Sequence, residues 1–174
     1  MILFEHQLEM VKAAAKQAKG IIQSPTGSGK TFAQAGIVSD LVAVKGFKVV
    51  TVKTPRIGLT NQVAKEYTDF LSSKGLSPNS LLVHSGNSIE VEPDIELSLE
   101  EQLAAENLIE EYAIATTLTS ELISQLKRSK ELDIPFIIYT TYHSAPKVIE
   151  ALDRDGFTVD LDINDEAHYL VRED

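Results

Sequence analysis

One eight-residue run constrains this chain more than any other feature: Ser24, Pro25, Thr26, Gly27, Ser28, Gly29, Lys30 and Thr31 in unbroken order. A short apolar stretch, 20–23, precedes it and predicts a strand. After it Ala33, Ile37, Leu41 and Val44 recur at helical spacing, which predicts a helix from Lys30 to about Val44 that Gly46 stops. A glycine-rich loop that passes from a strand into a helix is suited to phosphate, because its backbone amides converge where the helix dipole favours negative charge. On that reading Pro25, Thr26, Gly27, Ser28 and Gly29 wrap the phosphates. Lys30 reaches the terminal ones, and the Thr31 hydroxyl ligates magnesium. The plainer alternative is a glycine turn capping a helix, although such a turn does not call for Lys-Thr in the first helical turn. Ser24 stands where this motif usually carries glycine or alanine.

The remaining periodicities extend the same pattern. Leu8, Val11, Ala15 and Ala18 predict an amphipathic helix over 5–19, and Leu59, Val63, Tyr67 and Phe70 another that closes near Gly75. Strands are predicted over 48–53, 81–84, 136–140 and 158–165. Strands alternating with helices point to an α/β fold, a mostly parallel sheet flanked by helices. At 174 residues, 43% hydrophobic, the chain has the size and composition of one globular domain. The absence of cysteine excludes disulfides and cysteine-ligated metals, and the four histidines show no ligand spacing. No apolar run approaches a membrane span. The first ten residues carry Glu5, His6 and Glu9 in place of a basic, apolar leader, so an intracellular, cytoplasmic location is expected.

A net charge of -10 is unevenly spread: nine carboxylates lie between Ser88 and Tyr112 with no Lys or Arg, and the rest of the chain is close to neutral. Residues 87–133 read as an acidic helical insertion, with helices over 97–112 and 119–132. It is either a solvated face or a docking surface for a basic protein partner.

A second chemical signal closes the chain. Asp165, Glu166, Ala167 and His168 follow the strand-like run 158–164. Carboxylates at the C-terminal end of a parallel strand lie beside the ligand in folds of this kind. Asp165 would then hold magnesium, and Glu166 would orient and deprotonate an attacking water. From Val159 to Asn164 apolar and polar residues alternate, unlike a strand covered on both faces, so one face is expected to be wet or near a sheet edge.

Taken in order, these residues resemble the first RecA-like lobe of a superfamily 2 helicase or translocase with a DEAH box. Gln7, ahead of the phosphate loop, matches the family's glutamine motif, whose amide reads the adenine edge with one donor and one acceptor. The stretch from Thr54 to Gln62 is similar to motif Ia, with Arg56 one place early. Ser85 and Gly86 resemble the glycine turn after the next strand, and Thr140 and Thr141 fall where motif Ib lies. The resemblance implies ATP and Mg2+ as cofactors and catalytic roles for Lys30 and Glu166. It implies a nucleic-acid strand, DNA by family habit, gripped at Thr54, Pro55, Arg56, Gln62, Ser85, Gly86, Thr140 and Thr141, and a coupling role for His168. It further implies that 1–174 is an incomplete lobe. The motif III strand, which would lie between the phosphate-loop strand and the acidic-box strand, and a second RecA-like lobe would stand outside it, and the isolated chain is expected not to hydrolyse ATP. The competing class is a nucleotide-binding module without hydrolysis that docks a protein through the acidic insertion.

Overall fold

The strands come from short apolar runs bounded by polar or proline-bearing turns. In the computed structural model, which describes residues 2–25, 27–84, 114–116 and 119–170, they are β1 (Val49–Thr54), β2 (Asn79–Val83), β3 (Ile114–Thr116), β4 (Phe136–Thr141) and β5 (Leu161–Asn164). They form one five-stranded sheet in the order β3-β2-β4-β1-β5, and every pairing is parallel. The helices are α1 (Glu5–Ala15), α2 (Lys30–Lys45), α3 (Ile57–Ser73), α4 (Thr119–Glu131) and α5 (Ala145–Arg154), with a 3-10 turn at Ala167–Leu170.

Successive strand residues point to opposite faces, and here both faces are covered. Val50, Val52, Leu82, Ile137 and Tyr139 pack against Ala35 and Val38 of α2 and Val63, Tyr67 and Phe70 of α3. Val49, Leu81, Val83, Phe136 and Ile138 pack against Leu122, Ile123 and Leu126 of α4 and Val148 and Leu152 of α5. That two-sided cover is why β4 reads as an unbroken buried run while β5, at the sheet edge, alternates between half-buried and exposed positions. The expected wet face of the last strand is therefore present. Its acids are not idle: the Asp160 carboxylate accepts the amides of Lys48 and Val49 at 2.8 and 2.9 Å, and Asp162 pairs with Lys53 at 2.9 Å and accepts the Thr51 hydroxyl.

Three sequence expectations change. Residues 20–25 form no strand, and Ile21 is 96% exposed. Strand backbone must find a hydrogen-bond partner, and no described strand lies beyond β5 to supply one. The first helix stops at Ala15, and the face it buries carries Gln7 and Val11 while Leu8 and Ala18 are exposed. Val11 meets Ile37 and Leu41 of α2. Finally, part of the predicted insertion belongs to the body of the fold, because β3 pairs with β2 and α4 contributes three core side chains. The predicted helix over 97–112 lies outside the described residues. No described helix is long and apolar enough to cross a membrane.

Candidate nucleotide site and adjoining turns

The phosphate loop is held from below by α1. Gln7 is buried, its Nε2 donates to the carbonyls of Ser28 and Gly29 at 3.3 and 3.1 Å, and its Oε1 accepts the amide of Phe4 at 2.9 Å. A polar residue on a buried helix face is costly unless satisfied, and here two of the bonds fix loop backbone and the third caps the start of α1. Gly27 and Gly29 sit at φ 77 and 74, and a Cβ on Gly29 would lie 2.4 Å from Gln7 Nε2. The positive φ favours glycine there, and a Cβ would displace the Gln7 amide from the loop. The Ser24 and Ser28 hydroxyls bond each other at 2.6 Å, which closes the loop's entry. Thr26 lies outside the described residues.

Directly after β5 the chain turns sharply. Glu166 adopts φ 53, uncommon for a residue with a Cβ, and its carboxylate folds back to Lys30 Nζ at 3.4 Å. Its other oxygen lies 3.2 Å from His168 Nδ1. Asp165 is buried, and its Oδ1 accepts Nε2 of Gln34 at 2.8 Å. Among the described residues neither the second Asp165 oxygen nor the Thr31 hydroxyl has a protein partner. Both are hard oxygen donors, the type Mg2+ takes, and an ion shared with phosphates needs only one or two of them from protein. The residues present therefore fit a magnesium nucleotide.

Two tyrosines that sequence reasoning passed over belong to this site. Tyr67 on α3 donates its hydroxyl to Gln34 Oε1 at 3.1 Å. Tyr142, in the turn after β4, donates to the Asp165 carbonyl at 2.5 Å. Burial, then the negative charges of Asp165, Asp162 and Glu166, push the Tyr142 phenol up to about 12. Burial raises Tyr67 as well, so both remain donors. Tyr67 was legible only as part of an apolar stripe. Gln34 carried a fainter signal, as a polar side chain one turn past Lys30 on a largely apolar helix.

The residues of the adjoining turns divide by exposure. Thr54, Thr140 and Thr141 are buried. Thr54 bonds the Thr60 hydroxyl at 2.5 Å and the Arg56 carbonyl at 3.1 Å, and Thr141 bonds Ser144 at 3.3 Å, so these hydroxyls shape the entries to α3 and α5. Pro55 and Arg56 are half-buried at the start of α3, and Gln62 is exposed there and bonds Glu66 at 2.9 Å. Ser85 and Gly86 lie outside the described residues.

A parallel sheet covered by helices on both faces is the fold of the first RecA-like lobe of the superfamily 2 helicase class, and the family match agrees with it. The chain belongs to the family described as Type III restriction enzyme, res subunit, which matches residues 1–174. Among solved structures it is similar to a nuclease-deletion mutant of the Type ISP restriction-modification enzyme LlaGI in complex with a DNA substrate mimic, with TM-score 0.73 and 21% identity. It is also similar to the ATP-dependent Type ISP restriction-modification enzyme LlaBIII bound to DNA, with TM-score 0.71 and 25% identity. Each likeness covers 97% of this chain, but only 15% and 10% of those two chains respectively. Comparison with curated protein sequences finds no match.

Proposed function

We propose that this chain is the ATP-binding lobe of a DEAH-box helicase or translocase that acts on DNA. The observation that carries the reading is the Lys30–Glu166 pair, which joins the phosphate loop to the acidic box although the two are far apart in sequence. Glu166 pairs with Lys30 at 3.4 Å and offsets its charge. When the lysine turns to the β and γ phosphates, the carboxylate is released to accept a proton from water. Thr31 and Asp165 would hold Mg2+, which supplies charge neutralisation on the phosphates. The Gln7 amide braces the loop: its nitrogen and its oxygen are both bonded to backbone, in place of the free adenine-reading edge expected from the sequence. The coupling role of His168 is supported by its 3.2 Å contact with the other oxygen of Glu166.

On the nucleic-acid side, Arg56, Gln62 and the first amides of α3 and α5 are the groups for backbone phosphates. Thr54, Thr140 and Thr141 act by holding those turns in shape. Such contacts position a strand without reading its bases. The DNA assignment is supported by the similar structures, one bound to DNA and the other in complex with a DNA substrate mimic.

Titration calorimetry with the magnesium complex of a non-hydrolysable ATP analogue tests the reading. Lys30→Ala removes a charge-assisted contact and should weaken binding by about 1.5–3 kcal/mol, roughly ten- to a hundred-fold. Equal affinity of the two proteins would remove the phosphate-loop assignment.

A further inference from the structure

Asp165 is gripped by groups that belong neither to the phosphate loop nor to the acidic box. A carboxylate only accepts, so the Gln34 amide must turn Nε2 toward Asp165 and Oε1 toward Tyr67. The polarity of the chain is thereby fixed: the Tyr67 hydroxyl donates to Gln34, and Gln34 donates to Oδ1. Tyr67 is fully buried, with its ring edge-on to Tyr139 at 5.8 Å, so its hydroxyl has little freedom to leave. From the other side the Tyr142 hydroxyl holds the Asp165 carbonyl. Side chain and backbone of one residue are thus pinned by α2, α3 and the turn after β4.

We propose that Gln34, held by Tyr67, is a positioning residue that aims the second oxygen of Asp165 at the magnesium of the bound nucleotide, while Tyr142 fixes the backbone of the same residue. The proposal rests on the nucleotide-binding reading above. It ties α3 and the turn after β4 to the metal-holding carboxylate. Those two elements also carry the expected nucleic-acid contacts, so a strand that shifts either one would shift Asp165.

The test compares the affinity for ADP with Mg2+ present and with EDTA, taking the ratio as the contribution of the metal. Outer partners of metal-holding groups typically govern about 10- to 100-fold in metal affinity. Gln34→Leu should therefore lower the ratio about ten-fold and leave the EDTA affinity unchanged. Tyr67→Phe and Tyr142→Phe, which remove one oxygen each and keep the ring, should lower it by smaller factors, and they carry the test if Gln34→Leu does not fold. Melting temperatures taken alongside separate positioning from stability. An unchanged ratio in the folded variants, or an equal fall with and without metal, overturns the proposal while nucleotide binding stands. A wild-type chain that binds no ADP under either condition overturns the nucleotide reading and the positioning role with it.

Discussion

The two sides of this sheet are built on different physics. Through β2, β4 and β1, apolar side chains meet helices on both faces, and the buried residues Ile137, Ile138 and Tyr139 form consecutive parts of two cores. Beside β5 the cover ends, and polar groups take over the structural work. Asp160 and Asp162 tie β5 to β1, Asp165 is held by Gln34, and the phosphate loop hangs on the amide of Gln7 instead of on a strand. The first side supplies stability through packing that has one solution. The second is held by hydrogen bonds and ion pairs, the kind of contact that a site at the ends of strands could exchange for a ligand.

The comparison can be broken most directly by truncating one isoleucine on each side. Ile138→Ala leaves a cavity between the sheet and the helices α4 and α5, and should cost about 2–5 kcal/mol. Ile21→Ala removes an almost fully exposed side chain and should change stability by no more than about 0.5 kcal/mol. Urea unfolding of both variants checks the contrast. If Ile21→Ala cost as much as Ile138→Ala, the 20–25 segment would be packed and the distinction between the two sides would collapse.

A smaller effect is expected where the polar side is tightest. Gly29→Ala forces a Cβ against Gln7 Nε2 at a positive φ. The left-handed conformation alone costs roughly 1–2 kcal/mol for a residue with a Cβ, and the displaced amide would lose its two bonds to the loop. Nucleotide affinity should fall with stability. A second variant, Gly27→Ala, shares the positive φ but meets no atom within 4 Å. It should show the conformational cost alone, so the difference between the two isolates the contribution of Gln7.

Legibility followed the same division. The spacing of Ala33, Ile37 and Leu41 placed α2 correctly, and Val63, Tyr67 and Phe70 placed α3, because those faces are buried by a sheet and obey helical periodicity. The alternation in 159–164 announced an edge strand. The two polar runs 24–31 and 165–168 stood out in the sequence because each is a contiguous set of particular residue types, and the structure brings Lys30 of one to Glu166 of the other. What escaped was long-range and polar. The Tyr67–Gln34–Asp165 chain joins three distant segments, and nothing in the spacing of a tyrosine on an apolar stripe reveals that its hydroxyl has a partner. The 20–23 segment read as a strand because local β preference was intact, whereas strand formation depends on a neighbour that sequence pattern does not display.

The smallest expected effect is at the surface of the well-packed side. Lys127 on α4 donates to Asp155, just past the end of α5, at 3.2 Å, and Arg154 also contacts it. These bonds, the Lys127 one foremost, hold the Asp155 carboxyl below its ordinary value. A carboxyl whose folded value is depressed contributes stability above its unfolded value, near pH 4, and that contribution is lost as the pH falls through the folded value. Asp155→Asn should therefore lower the melting temperature slightly at neutral pH and low salt. The difference from wild type should shrink in high salt, where exposed pairs are screened, and vanish in acid below the folded value. Asp165 offers the contrast, since its partner is an uncharged, partly buried amide that salt does not screen. Asp165→Asn should keep its effect on stability from low to high salt. A salt-sensitive Asp165→Asn beside a salt-insensitive Asp155→Asn would reverse the assignment of the two carboxylates to interior and surface.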